Sequence, residues 1–139
     1  MNTVNDIFNG TVMNMNAIFC ILLLNMVTFG FSAYEKVNER ETTLEWLRAR
    51  YKSSWILNNL PLILQLILIM EIIVCLSTIT GFFSYLLYDS TFLIEISLWG
   101  ALFCLIILLT GQRLARDYEG ARNIVIYLIP EILGLYFLS

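Results

Sequence analysis

The chain contains no histidine, so it lacks the commonest general base and the commonest transition-metal ligand. It also carries no Gly-rich phosphate loop, no Gly-x-Ser-x-Gly segment and no paired-Asp motif of a lipid phosphotransferase. Hydrolase, metalloenzyme and phosphotransfer chemistries fall with these absences, and the short connections between apolar runs leave little room for a substrate pocket. The expectation is a protein that is not an enzyme and that binds no cofactor, no metal and no nucleic acid.

Charge is scarce too. Only 14% of the residues are charged against 59% hydrophobic, a balance too apolar for an ordinary soluble domain, in a chain too short for more than one unit. Cys20, Cys75 and Cys104 are the three cysteines, each in an apolar run and with no C-x-x-C spacing. They read as small buried side chains rather than disulfides or a metal cluster. No Lys or Arg precedes the first apolar run, whereas a cleavable secretory signal carries a basic start, so the first helix is expected to be retained. The Arg-poor, Asn-rich start also fits no transit peptide. Asn9-Gly10-Thr11 is a formal glycosylation sequon, a triplet common by chance.

What is present is a sharp charge pattern. All eight basic residues lie in two windows, Lys36 to Lys52 and Arg113 to Arg122. Basic residues stay on the cytoplasmic side of a membrane protein. The windows therefore read as two inside loops, 35–54 and 112–122, and the apolar runs as four spans, about 15–34, 55–87, 92–111 and 123–138. The fold class expected is all-α: a small bundle of four transmembrane helices, embedded in a lipid bilayer, with both termini on the non-cytoplasmic side.

The spans differ in detail. Asn25, Thr28 and Ser32 recur at i, i+3 and i+7 on the first span, a polar face that fits a helix contact better than lipid. In the first loop, Thr42 and Glu45 have capping-box spacing. Leu44, Leu47, Tyr51 and Trp55 follow helical periodicity there, which fits either a short amphipathic helix on the membrane surface or a solvated connector. Tyr88-Asp89-Ser90 reads as the turn between spans two and three. In the second loop, Arg113 with Asp117 and Glu119 with Arg122 are spaced to pair on a helical turn. Span four is short, at ~24 Å, and Pro130 near its middle suggests a local break.

Glu71, Glu95 and Glu131 are the sharpest functional candidates, because a charge in hydrocarbon costs at least ~2.5 kcal/mol on insertion scales and demands a partner or a use. None has a basic residue within its own span. Glu71, counted from the inside loop, is placed in the outer half of the membrane, on one helical face with Cys75 and Thr78. That face fits a protonated structural acid, a contact with another subunit, or an ion path. Glu95 lies near the outer turn, where it can reach the interface, and Glu131 lies one turn from Tyr127, a possible hydrogen-bond partner.

Ser97, Gly100, Ala101 and Cys104 form a small-residue stripe on span three, suited to close packing against another helix, with Glu95 pointing away from it. Met13-Asn14-Met15 has the look of a weak copper(I) site, but with no histidine nearby it reads as apolar filler. The functional expectation is a small accessory subunit or assembly factor of a larger membrane complex, in contact with other membrane subunits or with copies of itself. The alternative is a homo-oligomeric channel or transporter for protons or cations, using the intramembrane glutamates.

Overall fold

The computed structural model describes the backbone of residues 2–139 and the side chains of residues 14–53 and 55–139. The side chains of the Asn9-Gly10-Thr11 sequon and of Met13 lie outside the described residues. Five helices follow one another: α1 (Asn2–Asn38), α2 (Arg40–Arg50), α3 (Ser54–Tyr88), α4 (Phe92–Leu114) and α5 (Tyr118–Leu138). Four of them are long and apolar enough to cross a membrane, α2 being the exception. The chain is an all-α, multi-pass membrane protein.

Each long helix neighbours two others, α1 against α3 and α5, and α4 against α3 and α5, so the four close into a ring. Its interior has three apolar clusters. Ile18, Ile21, Leu22, Ile94 and Leu98 fill the end near the Asp89 turn, and Phe29, Val74, Ala101, Cys104 and Leu105 fill the middle. Phe19 packs edge-on against Phe82 and Tyr85 at centroid distances of 5.3 and 5.4 Å, joining α1 to α3 at the first of these levels. Leu44, Leu60 and Leu64 form the third cluster, at the end where the basic residues lie. Outward faces are apolar as well: Leu23, Val27, Phe31, Ile73, Leu76, Trp99 and Phe103 are all exposed, as a lipid-facing surface requires.

Several boundaries differ from those the sequence suggests, each for a local reason. The Thr42–Glu45 capping box is not used, since α2 begins at Arg40 after Glu39, with no side-chain cap. α1 runs almost directly into α2: the Glu39 amide donates to the Glu35 carbonyl at 2.7 Å, and the Thr43 amide makes the first bond of α2 to the Glu39 carbonyl at 2.9 Å. α2 is an amphipathic helix that rests on α3 through buried Leu44 and half-buried Leu47, whereas Trp55 is exposed.

At the other end of α3, Asp89 takes a left-handed conformation with φ of 55°, which ends the helix and starts the turn. The second connection shrinks to Ala115–Asp117, hinged at Arg116 with φ of 56°. The Asp117 carboxylate accepts from the Gly120 amide at 3.2 Å and starts α5 at Tyr118, ahead of the expected Asn123. With 21 residues, α5 is then ~32 Å long, enough to cross, and it runs on as a helix through Pro130. Asp117 faces Arg50 at 3.8 Å instead of the expected Arg113.

Candidate functional site

Among the described residues, five polar or charged side chains are buried in the bundle: Asn25, Glu71, Thr78, Ser97 and Glu131. Such burial is costly unless partners are found, so their contacts define the candidate site. α1 supplies those partners for both carboxylates. Asn25 donates from Nδ2 to Glu131 Oε2 at 3.1 Å, across the α1–α5 seam. Seven residues along the same face, Ser32 Oγ donates to Glu71 Oε1 at 2.9 Å.

Lys36, one further turn down, donates from Nζ to Ser32 Oγ at 2.6 Å and to the same Glu71 oxygen at 2.8 Å. Glu71 is fully buried in this ion pair, while Lys36 keeps 17% of its side chain exposed toward the basic end of the bundle. The second oxygen, Glu71 Oε2, is buried without a partner.

The helix register sets the depth of each group. A Cβ on Gly100 would meet Val74 at 3.6 Å, and one on Gly81 would meet Leu93 and Ile94, so α3 and α4 run antiparallel with Glu71 level with Cys104. Cys104 lies near the midpoint of α4. Glu71 is therefore level with the middle of α4 rather than in the half nearer the Asp89 turn. α3 starts well below the end of α4, and counting from the loop overestimates the height of Glu71 for that reason. By the same register Thr78, Ser97, Asn25 and Glu131 form a second polar level, one to two turns nearer the Asp89 turn.

The hydroxyls at that level are satisfied on their own helices. Thr78 donates to the Val74 carbonyl at 2.8 Å and Ser97 to the Ile94 carbonyl at 2.8 Å. Glu71, Cys75 and Thr78 share a helical face, yet no hydrogen bond links them among the described residues. Tyr127 is exposed and makes no bond to Glu131, whose place as partner is taken by Asn25. Glu95 is exposed on the side of α4 away from the stripe. Within the stripe, Ser97, Ala101 and Cys104 are buried against the other helices of this chain and Gly100 is partly covered. Cys20, expected to be buried, is exposed.

Lys36 also lines a recess of about 250 Å³ at the basic end, together with Glu35, Glu39, Tyr51 and Gln112. The Tyr51 phenol closes one side by donating to the Gly111 carbonyl at 2.7 Å, and burial raises its pKa above 10.0. It stays a donor throughout the neutral range. Among the described residues, no three His, Cys, Asp or Glu side chains are grouped to hold a metal ion.

Lys36 is the functional residue that sequence reasoning misses, and its signal is present. It continues the Asn25, Thr28, Ser32 face at i+11, which is 20° from Asn25 at ~100° per residue. Assigning Lys36 to a loop cuts the face one turn short. Compared with known proteins, the chain matches no family model, no curated protein and no solved structure.

Proposed function

We propose that the chain is a non-catalytic accessory subunit or assembly factor that acts through its outer surface in a larger membrane complex. The observation that supports this reading is the pairing of Glu71 with Lys36 and of Glu131 with Asn25 inside one chain. With those carboxylates engaged, Glu95 is an outward-facing acid in the first turn of α4, on a helix whose neighbouring Trp99 and Phe103 are exposed. A carboxylate beside lipid favours a donor from another subunit. Isolation of the chain in mild detergent should therefore yield a second membrane protein in fixed stoichiometry, and Glu95→Leu should release it. A lone chain or a pure homo-oligomer would contradict the proposal.

The second reading, a homo-oligomeric proton or cation conductor, is supported by the unpartnered Glu71 Oε2. It requires ion flux in vesicles that hold only this chain, abolished by Glu71→Gln. The basic windows support an orientation with the Lys36–Lys52 end in the cytoplasm and the Asp89 turn outside. A cysteine at Ser90 should then react with an impermeant reagent applied outside, and one at Ser53 should not; the reverse pattern would invert the chain.

A further inference from the structure

Where α4 leaves the apolar region and α5 enters it, Leu109, Arg113, Tyr118, Ala121, Arg122 and Val125 line an open recess of about 380 Å³. Its two ends differ in chemistry. Arg113 and Arg122 flank the mouth, and the Arg113 guanidinium lies 5.4 Å from the centre of the Tyr118 ring, which holds the cation in place without neutralising it. Leu109 and Val125, about one turn deeper on their helices, make an apolar wall, and buried Ala121 supplies a floor with little bulk.

Competing acids are few. Asp117 faces Arg50 at 3.8 Å. Glu119 approaches Arg122 at 3.9 Å, but both side chains are more than two-thirds exposed, at 82% and 72%, so this contact is weak and easily exchanged.

We propose that this recess binds an anionic phospholipid. Its phosphate would sit between the Arg113 and Arg122 guanidiniums, with the Tyr118 hydroxyl at the headgroup level and the start of an acyl chain along Leu109 and Val125. Paired guanidiniums suit a phosphate because each presents a planar fork of donors. The graded walls favour a lipid over free phosphate, since the recess passes from the headgroup level to the hydrocarbon level between two spanning helices. Basic pockets between membrane helices select anionic headgroups in this way.

The test uses the full chain in mild-detergent micelles, titrated with dioleoylphosphatidylglycerol or dioleoylphosphatidylcholine and read by native mass spectrometry. The wild type should retain the anionic lipid in preference, and Arg113→Gln with Arg122→Gln should reduce that retention by about thirtyfold, at the usual strength of two basic groups near a membrane surface. Arg48→Gln with Lys52→Gln removes the same charge from elsewhere on the basic end and should leave retention unchanged. Excess inorganic phosphate should fail to displace the lipid.

Equal retention of both lipids by the wild type, or equal losses in the two double variants, would overturn the proposal in favour of diffuse charge. Displacement by inorganic phosphate would overturn it in favour of a free-anion site. All four basic residues are exposed, and a thermal unfolding curve for each variant verifies that any loss is not one of folding.

Discussion

Glu71→Leu should destabilise the bundle by about 2 to 3 kcal/mol, because it leaves the Lys36 ammonium without its counter-charge. This lies below the ~3 to 5 kcal/mol of a fully enclosed pair, since Lys36 is partly exposed and its flexible stem can carry the charge toward water. Combining Glu71→Leu with Lys36→Met should restore stability to within about 1 kcal/mol of the wild type, as an apolar replacement removes both desolvation costs together. Glu71→Gln should fall between, because the amide oxygen still accepts from Ser32 and Lys36 but no longer neutralises the latter. Equilibrium unfolding in mixed micelles measures all three. Full tolerance of Glu71→Gln together with a harmless Glu71→Leu would show that the ion pair contributes nothing.

The second large effect is steric. A Cβ on Gly81 would lie 3.1 Å from the Ile94 amide nitrogen and 3.2 Å from the Leu93 carbonyl carbon and oxygen. All three obstacles are backbone, so no rotamer change relieves them and α4 itself must move. Gly81→Leu should cost about 3 kcal/mol, at the upper end of overpacking penalties, and Gly81→Ala about 1 kcal/mol. Gly30→Ala should be nearly neutral by contrast, as its Cβ would meet only the Cys75 sulfur at 3.8 Å. Similar unfolding midpoints for Gly81→Leu and Gly30→Ala would mean that α3 and α4 do not approach this closely.

The two glycines show where sequence reasoning stops. Four spans, their order and the Asp89 turn are legible because apolar run length and basic residues report directly on the bilayer. Gly81 reads only as a residue near the end of a span, since its meaning depends on which residues of α4 lie opposite. The same limit explains Glu71. Its burial is legible, but its partner sits on α1, at a depth set by the offset between α1 and α3. Lys36 looks like a loop residue until the helix is seen to run to Asn38. Residues 118–122 look like a polar elbow for a related reason: they include Glu119 and Arg122, yet the Asp117 cap makes them the first turn of α5.

The Ser97, Gly100, Ala101 and Cys104 stripe carries a further consequence for assembly. Its close approach is taken up by Val74 and Phe29 of the same chain, so a small-residue face on one helix does not by itself call for a second subunit. Any partner must then engage other surfaces, and exposed Glu95 on α4 offers one with a chemical requirement. Both readings share one premise, that α1 completes the polar core of its own chain and not of a neighbouring copy.

One cross-link decides this. With Cys20→Ala and Cys104→Ala in place, Gly30→Cys would set a thiol beside native Cys75 across the α1–α3 contact, within reach of a disulfide after small side-chain adjustments. Mild oxidation should convert the monomer to a species lighter by two hydrogens, at a yield independent of protein concentration. A covalent dimer, or no cross-link at all, would contradict the placement of α1 against α3 of its own chain and with it the self-contained Lys36–Glu71 core.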